Sequence, residues 1–305
     1  MHPEQTNTDY PIPSVAGVFG RLFLMVIAST LLSTLLILGL NYVFGLDFRE
    51  VMTYIDDSAD LRTRNFVRLI TVVNQVFTFL VPGILLTLLL FKNHWYRFLK
   101  MNIRPQTVYI FGGLLLMFSI FPLIQYTNVL NHAIRFPDWI TDMESSTENV
   151  IEAILKMDSP LELIINVLII GLIPAIGEEL IFRGIVQQTI LSRLKERPHL
   201  AIWITAIIFS AIHFQFLGFI PRMLLGAVLG YLFYWSRSLW VPIIAHFANN
   251  SIQVVMVYFF ADKIPELDPD NLPDVPVSGA LISLIIAVGI GYFLSKYKKT
   301  PDYYA

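Results

Sequence analysis

Long apolar runs separated by short polar segments dominate the sequence. Each run is close to the length of about 20 residues that an α-helix needs to cross a hydrocarbon core of ~30 Å. The runs cover residues 18–44, 66–91, 107–130, 161–190, 199–217, 219–236, 239–260 and 278–295. This pattern predicts an all-α fold, a polytopic helical bundle of about eight transmembrane helices with the lipid bilayer as its surroundings.

The polar connections between the runs are too short to hold a separate soluble domain. We therefore expect one transmembrane bundle over residues 18–295, with a polar N-terminal tail at 1–17 and a basic C-terminal tail at 296–305. The first run, 18–44, is too long for the core of a signal peptide and follows a segment without a basic opening. We therefore expect it to be a true membrane span.

The segment 133–160 differs from the runs around it because its apolar residues are interleaved with acids. This pattern fits an amphipathic helix lying on the membrane, and it equally fits a solvated loop. The sequence leaves both interpretations open.

The composition supports lipid as the solvent of this chain. Hydrophobic residues make up 55% of the sequence and charged residues only 14%, whereas a soluble domain carries roughly a quarter charged residues. The net charge of −2 provides no basic field, so we expect no nucleic-acid partner. Cysteine is absent from the sequence, which excludes disulfides, thiol nucleophiles and cysteine-ligated zinc.

Charges are distributed unevenly among the polar segments. Residues 92–106 hold four bases and no acid, 133–162 hold seven acids and two bases, and 261–277 hold five acids and one lysine. Lys and Arg accumulate on the cytoplasmic side of membrane proteins, so both termini are predicted to be cytoplasmic. The short loops and the lack of a targeting sequence indicate an integral protein of a bacterial inner (plasma) membrane.

One loop does not fit this orientation. The same rule places residues 45–68 outside, yet Arg62, Arg64 and Arg68 stand near the end of that loop.

The fourth apolar run contains the stretch GEELIFRG, which places three ionisable side chains within six positions. Each costs about 2.5–3.5 kcal/mol at the middle of a bilayer. On a helix, Glu179 and Arg183 share a face and are expected to pair, whereas Glu178 is rotated by about 100° and stays available. Gly177 and Gly184 lie on one stripe and suit the close packing of a neighbouring helix.

Two further runs carry histidine, in the stretches FSAIH and HFANN. The fourth and fifth runs form a hairpin, and Glu178 and His213 each lie about 18 residues from its centre, so they should face each other at similar depth. His246 and Asn250 are one turn apart on the seventh run. A single buried histidine or ion pair is often structural, but this whole set at one depth favours a functional, polar intramembrane cavity.

The residue types in this cavity limit the chemistry that it can perform. No span contains aspartate, the HExxH zinc-protease motif is missing, and Ser210 lacks the Gly-x-Ser-x-Gly turn of a serine nucleophile. A carboxylate and an imidazole can instead activate water, and a second histidine with an amide can hold the oxyanion. No metal or other cofactor is needed for this reaction. A zinc-dependent protease with Glu178, His213 and His246 as ligands remains an alternative.

The motifs EELIFR, FSAIH and HFANN resemble the EExxxR, FxxxH and HxxxN motifs of the CAAX prenyl protease and bacteriocin-processing (CPBP/Abi) family. The resemblance covers roughly residues 160–260, which we take as the catalytic core, and keeps the family's order. It implies an intramembrane glutamic endopeptidase that is independent of metal and acts on a peptide or protein in or at the membrane. Because some bacterial relatives are bacteriocin-immunity or partner proteins, a non-catalytic membrane scaffold is the other implied function.

The resemblance also assigns a role to each motif residue. The catalytic set comprises the water-activating base Glu178, its partner His213, and the oxyanion-binding pair His246 and Asn250. Glu179 and Arg183 correspond to a supporting ion pair.

Overall fold

The computed structural model describes residues 13–56, 58–260 and 275–297. Ten helices and no strand are found in these ranges. The helices are α1 (Val15–Phe44), α2 (Phe48–Tyr54), α3 (Leu61–Phe98), α4 (Thr107–His132), α5 (Asp138–Leu155), α6 (Pro160–Arg193), α7 (Pro198–Ala211), α8 (Phe219–Ser236), α9 (Trp240–Phe260) and α10 (Val277–Lys296).

Seven of these helices are long and apolar enough to cross a membrane, namely α1, α3, α4, α6, α8, α9 and α10. Large apolar side chains on α1 and α10 point away from the protein, as Leu31 (65% exposed) and Ile285 (71% exposed) illustrate. Water would be a poor solvent for so much exposed apolar surface. The polytopic helical membrane bundle expected from the hydropathy pattern is therefore confirmed.

The fifth apolar run departs from the expected span at 199–217. Helix α7 has 14 residues, which gives a length of about 21 Å and falls short of a hydrocarbon core of ~30 Å. The chain turns back at Phe214, whose φ of 53° cannot continue a right-handed helix. Helix α8 then packs along α7, so residues 212–218 form the tip of a helical hairpin instead of the end of a full span.

The acidic segment whose structure the sequence left open is a helix. Helix α5 buries Ile140, Ala153 and Ile154, and its C-terminal part joins the apolar cluster around Phe66 and Ile70 of α3. The segment is therefore a helix and not a solvated loop, and its apolar face packs against the protein. Its expected position on the membrane surface stays a prediction.

Two of the three arginines near the end of loop 45–68 are buried and paired. Arg64 and Arg68 lie 3.1 and 2.9 Å from the carboxylate of Glu162, and Arg68 also donates to Asn166 at 2.9 Å. The hydrogen bond and charge of Arg64 lower the pKa of Asp158 below its usual value. These two cations are neutralised inside the protein, which removes much of their conflict with the predicted orientation. The orientation itself stays a prediction.

The predicted tails at 1–17 and 296–305 lie mostly outside the described residues, as does most of the acidic segment 261–277. The division of the chain into two tails and one bundle therefore stays a prediction.

Candidate active site

Helix α6 carries both glutamates between two π-helical stretches. The stretches are Val167–Leu172 and Leu180–Gln187, and the α-helical piece Ile173–Glu179 lies between them. Pro174, near the start of this piece, has no N–H to donate to the preceding turn, so the helical hydrogen bonding is already interrupted there. Short π-helical turns are frequent at functional sites, and here they set the directions in which the two glutamates point.

Glu179 is the centre of a fully buried charge cluster. Its Oε1 accepts hydrogen bonds from Nη1 of Arg183 and from Nδ1 of His246, both at 2.8 Å. Arg183 also donates to the carbonyl of Gly226 at 2.7 Å and lies over the Phe209 ring, 4.8 Å from its centroid. The expected Glu179–Arg183 pair is present, and His246 joins it in a contact that the motif spacing did not predict. Oε1 of this carboxylate is thus engaged by two nitrogen donors, whereas its buried Oε2 has no hydrogen-bond partner among the described residues.

Glu178 points elsewhere and meets His213. Oε2 of Glu178 lies 3.9 Å from Nε2 of His213, which is too long for a direct hydrogen bond. Nδ1 of His213 is 2.7 Å from the carbonyl oxygen of Phe209. Because a carbonyl only accepts, Nδ1 carries the proton of the neutral ring and the Nε2 lone pair faces the carboxylate. The structure therefore brings the two side chains to the same depth and leaves a gap of one small group between them.

Asn250 fixes α9 against α6 beside this pair. Its Nδ2 donates to the carbonyl of Ile170 at 3.2 Å, within the first π-helical stretch. The two helices approach closely because Gly171 lacks a side chain: a Cβ there would lie 2.5 Å from Oγ of Ser251. Asn250 and His246 are thus held on the face of α9 that packs on α6, with one N–H of the Asn250 amide committed to Ile170.

Three other residues noted in the sequence have structural environments. Ser210 donates its hydroxyl hydrogen to the carbonyl of Phe219 at 2.7 Å. A Cβ on Gly177 would lie 3.0 Å from Cβ of Phe79, and one on Gly184 would lie 2.7 Å from Cδ2 of Leu99. The close helix packing expected at both glycines is present, and Ser210 serves to join α7 to α8.

The cluster is most open on the side of His213. The His213 side chain is 23% exposed, whereas that of Glu178 is 6% exposed. Two cavities of about 230 and 220 Å³ lie elsewhere, between Tyr109 and Trp235 and between Thr71 and Phe79. His213 is therefore the more accessible member of the pair.

Residues outside the three motifs surround that loop, and the sequence analysis did not select them for the site. Arg222 donates to the side chain and the backbone carbonyl of Gln215, and its charge acts on both Glu178 and His213. Glu144 of α5 contacts the loop from the other side. Its signal in the sequence is weak: an acid four residues after Ile140, on the apolar face of an amphipathic helix.

The described residues contain no group of three or more His, Cys, Asp or Glu side chains arranged to hold a metal ion. In the zinc alternative, Glu178, His213 and His246 would be the ligands. The Nδ1 atoms of both histidines are engaged by Phe209 and Glu179, which leaves only the Nε2 atoms for a ligand. A zinc-ligating histidine usually donates its other ring N–H to a carbonyl or a carboxylate, so these contacts leave the zinc alternative open for the test described below.

Comparisons with known proteins match the part of the chain that contains these residues. No solved structure matches the chain. The protein named "Uncharacterized protein YpbD", of Bacillus subtilis (strain 168), is 29% identical over 98 residues. The aligned part is 31% of this chain and 47% of that protein, so the match spans about half the length of this relative. Residues 160–252, which hold all seven motif positions, match the family of Rce1-like type II CAAX prenyl endopeptidases, and the resemblance expected from the three motifs is thereby confirmed.

Proposed function

We propose that this protein is an intramembrane endopeptidase that hydrolyses a peptide bond with water activated by Glu178 and His213. The observation that carries the proposal is the 3.9 Å separation of the Glu178 carboxylate and Nε2 of His213. Glu179, its neighbour, is already neutralised by Arg183. One carboxylate is therefore structural, and the other is free to act as a base inside a family-matched segment.

The gap between Glu178 and His213 fits one water molecule. Two hydrogen bonds of about 2.8 Å reach across 3.9 Å, and both the carboxylate and the Nε2 lone pair are acceptors. A water held by both O–H groups turns its oxygen lone pairs toward a bound carbonyl carbon. As the oxygen attacks, Glu178 takes its proton, and the carbonyl becomes a tetrahedral oxyanion.

Hydrogen-bond donors on α9 stabilise the negative charge of the tetrahedral intermediate. His246 gives Nδ1–H to Glu179, and in its doubly protonated form it offers Nε2–H to the oxyanion. The second N–H of Asn250, beyond the one given to Ile170, supplies the other hydrogen bond. Glu178 then protonates the departing amine, the C–N bond breaks, and the water's hydroxyl remains on the new carboxyl group.

The substrate class follows from the surroundings of the site. The site lies in a bundle with a lipid-facing apolar surface, so we propose a peptide or protein substrate that is in the bilayer or anchored to it. The proposed chemistry requires no metal or other cofactor, so the activity that we propose is that of a glutamic, metal-independent endopeptidase.

The test uses purified protein in liposomes with two fluorogenic peptides, one ending in a farnesylated CAAX sequence and one carrying a transmembrane segment without lipid. Glu178→Gln and His213→Ala should each lower cleavage by at least about 10²-fold. Gln253→Ala, an exposed change on α9, is the matched control and should leave cleavage intact. Full activity of Glu178→Gln would overturn the proposal.

Two further arms separate the other hypotheses. Cleavage that a chelator abolishes and zinc restores would establish the zinc alternative in place of the glutamic mechanism. A cellular phenotype that Glu178→Gln fully preserves would establish a scaffold or immunity role.

A further inference from the structure

The loop that carries His213 is short and irregular, with a few backbone hydrogen bonds of its own, such as the one from the N–H of Phe214 to the Ala211 carbonyl at 3.2 Å. Residues 212–218 follow the end of α7 and reverse direction at Phe214, which has a positive φ of 53°. Helix α8 begins at Phe219 without a side-chain cap from its own N-cap residue, Gly218. Backbone groups at the tip of the hairpin therefore depend on partners from elsewhere in the fold.

Asn131, at the end of α4, provides the first of these partners. Its Nδ2 donates to the carbonyls of Phe216 and Leu217, both at 2.6 Å, and its Oδ1 accepts from the N–H of Ile220 at 3.4 Å. Asn131 is 1% exposed. The side chain thus fixes two carbonyls of the loop and caps the first turn of α8.

Glu144 of α5 provides the second partner. Its Oε1 accepts from the N–H of Phe216 at 2.5 Å and from the N–H of Leu217 at 3.1 Å, and its Oε2 lies 3.2 Å from the same Leu217 nitrogen. The residue is 4% exposed. A buried carboxylate is costly unless it is well paired, and charge-assisted bonds to backbone N–H groups are roughly twice as strong as neutral ones. The position before the N-terminus of α8 adds the favourable end of the helix dipole.

Helix α5 is itself anchored at its far end. The carbonyl of Ile154 accepts from Arg68 at 3.1 Å and from Asn166 at 2.6 Å. Glu144 and Ile154 are ten residues apart, a distance of about 15 Å along the helix. Helix α5 therefore connects the start of α6, the helix that carries Glu178, to the loop that carries His213.

We propose that Glu144 is a positioning residue that holds His213 at working distance from Glu178. The inference rests on the proposed function, because it concerns the geometry of the same two side chains. Without Glu144, the two N–H groups of Phe216 and Leu217 lose their acceptor, and the tip of the hairpin keeps the contacts made by Asn131, by Arg222 with Gln215, and by Ser210 with the Phe219 carbonyl. A displacement of His213 by about 1 Å lowers turnover by up to about 10²-fold.

Glu144 is not part of the segment that matches the endopeptidase family, although its hydrogen-bond partners Phe216 and Leu217 are. That segment is residues 160–252. The charge of Arg222 acts on Glu144 as well as on Glu178, so a single cation lies between the loop anchor and the catalytic carboxylate.

The test compares Glu144→Ala, Glu144→Gln and the exposed control Glu152→Gln, which lies two turns further along α5. Glu144→Ala should lower kcat by about 10- to 100-fold while KM changes by less than about 3-fold. Glu144→Gln keeps one neutral acceptor and should recover part of the loss. Amide hydrogen exchange at Phe216 and Leu217 should rise in Glu144→Ala and stay unchanged in α6.

The outcomes distinguish this inference from the function it depends on. Unchanged kcat in Glu144→Ala, with Glu178→Gln inactive, overturns the inference and leaves the endopeptidase proposal standing. Faster exchange throughout α6 also overturns it, because Glu144 would then stabilise the whole fold. Full activity of Glu178→Gln overturns the endopeptidase proposal instead.

Discussion

Arg183→Met would remove the guanidinium that lies 2.8 Å from Glu179 and leave that carboxylate with His246 as its remaining side-chain partner among the described residues. Both Glu179 and Arg183 are 0% exposed. Breaking a buried ion pair by removing one partner costs about 3–5 kcal/mol, because the remaining charge is uncompensated. The range of about 3–5 kcal/mol already includes the loss of the hydrogen bond from Arg183 to the Gly226 carbonyl. A hydrogen bond to a charged group contributes about 1.5–3 kcal/mol.

The measurement is the free energy of unfolding by SDS titration in mixed micelles. A loss of 3 kcal/mol lowers the ratio of folded to unfolded protein by a factor of about 150. Arg21→Met, which removes an exposed arginine from α1, is the matched control and should change the free energy of unfolding by less than about 0.5 kcal/mol.

The double variant Glu179→Gln/Arg183→Met tests whether uncompensated charge is the cause. Removing both charges should restore at least about 1 kcal/mol relative to Arg183→Met, a coupling typical of residues in direct contact. Two results would contradict this reasoning: a cost of less than about 1 kcal/mol for Arg183→Met, or a double variant that is less stable than Arg183→Met. Either result would mean that an uncompensated charge on Glu179 does not destabilise the fold.

Three further outcomes follow from single contacts in the site. Gly184→Ala should lower the free energy of unfolding by about 1–3 kcal/mol, because its Cβ would lie 2.7 Å from a buried leucine. Gly20→Ala, whose Cβ would meet open space, should be neutral or stabilising. Equal effects of the two variants on the free energy of unfolding would contradict the packing argument. Ser210→Ala should keep peptide cleavage within about 3-fold and lose about 1 kcal/mol of stability, and a loss of cleavage would instead indicate a serine nucleophile. Asn250→Ala should lower kcat by about 10²-fold while Gln253→Ala leaves it unchanged, and equal rates would exclude Asn250 as an oxyanion donor.

The sequence predicted the helical bundle well because membrane spans must be both apolar and long. It failed at the fifth run, where hydropathy cannot show direction. Residues 212–218 are apolar enough to extend a span, yet the chain reverses at Phe214. Arg64 and Arg68 were counted as loop charges because their partner Glu162 lies nearly one hundred positions away along the chain.

The site shows the same division between local and distant information. The Glu179–Arg183 pair follows from helical spacing alone and was expected. His246 was expected at the right depth, but its bond to Glu179 depends on the rotation of α9, which a depth argument does not determine. Glu144 could not be found from the sequence because its partners are backbone N–H groups, which leave no mark on residue type.

The π-helical stretch Val167–Leu172 makes the register of the catalytic glutamates sensitive to chain length. A π turn accommodates an additional residue relative to an α-helix, and each residue rotates a helix by about 100°. Deleting one residue there, with the stretch relaxing to ordinary α-helix, would swing Glu178 and Glu179 together by roughly that angle. Glu179 would lose its contact with His246 on α9, and Glu178 would face a neighbouring helix instead of His213. An insertion or deletion within these six positions would therefore inactivate the site even though it changes no motif residue.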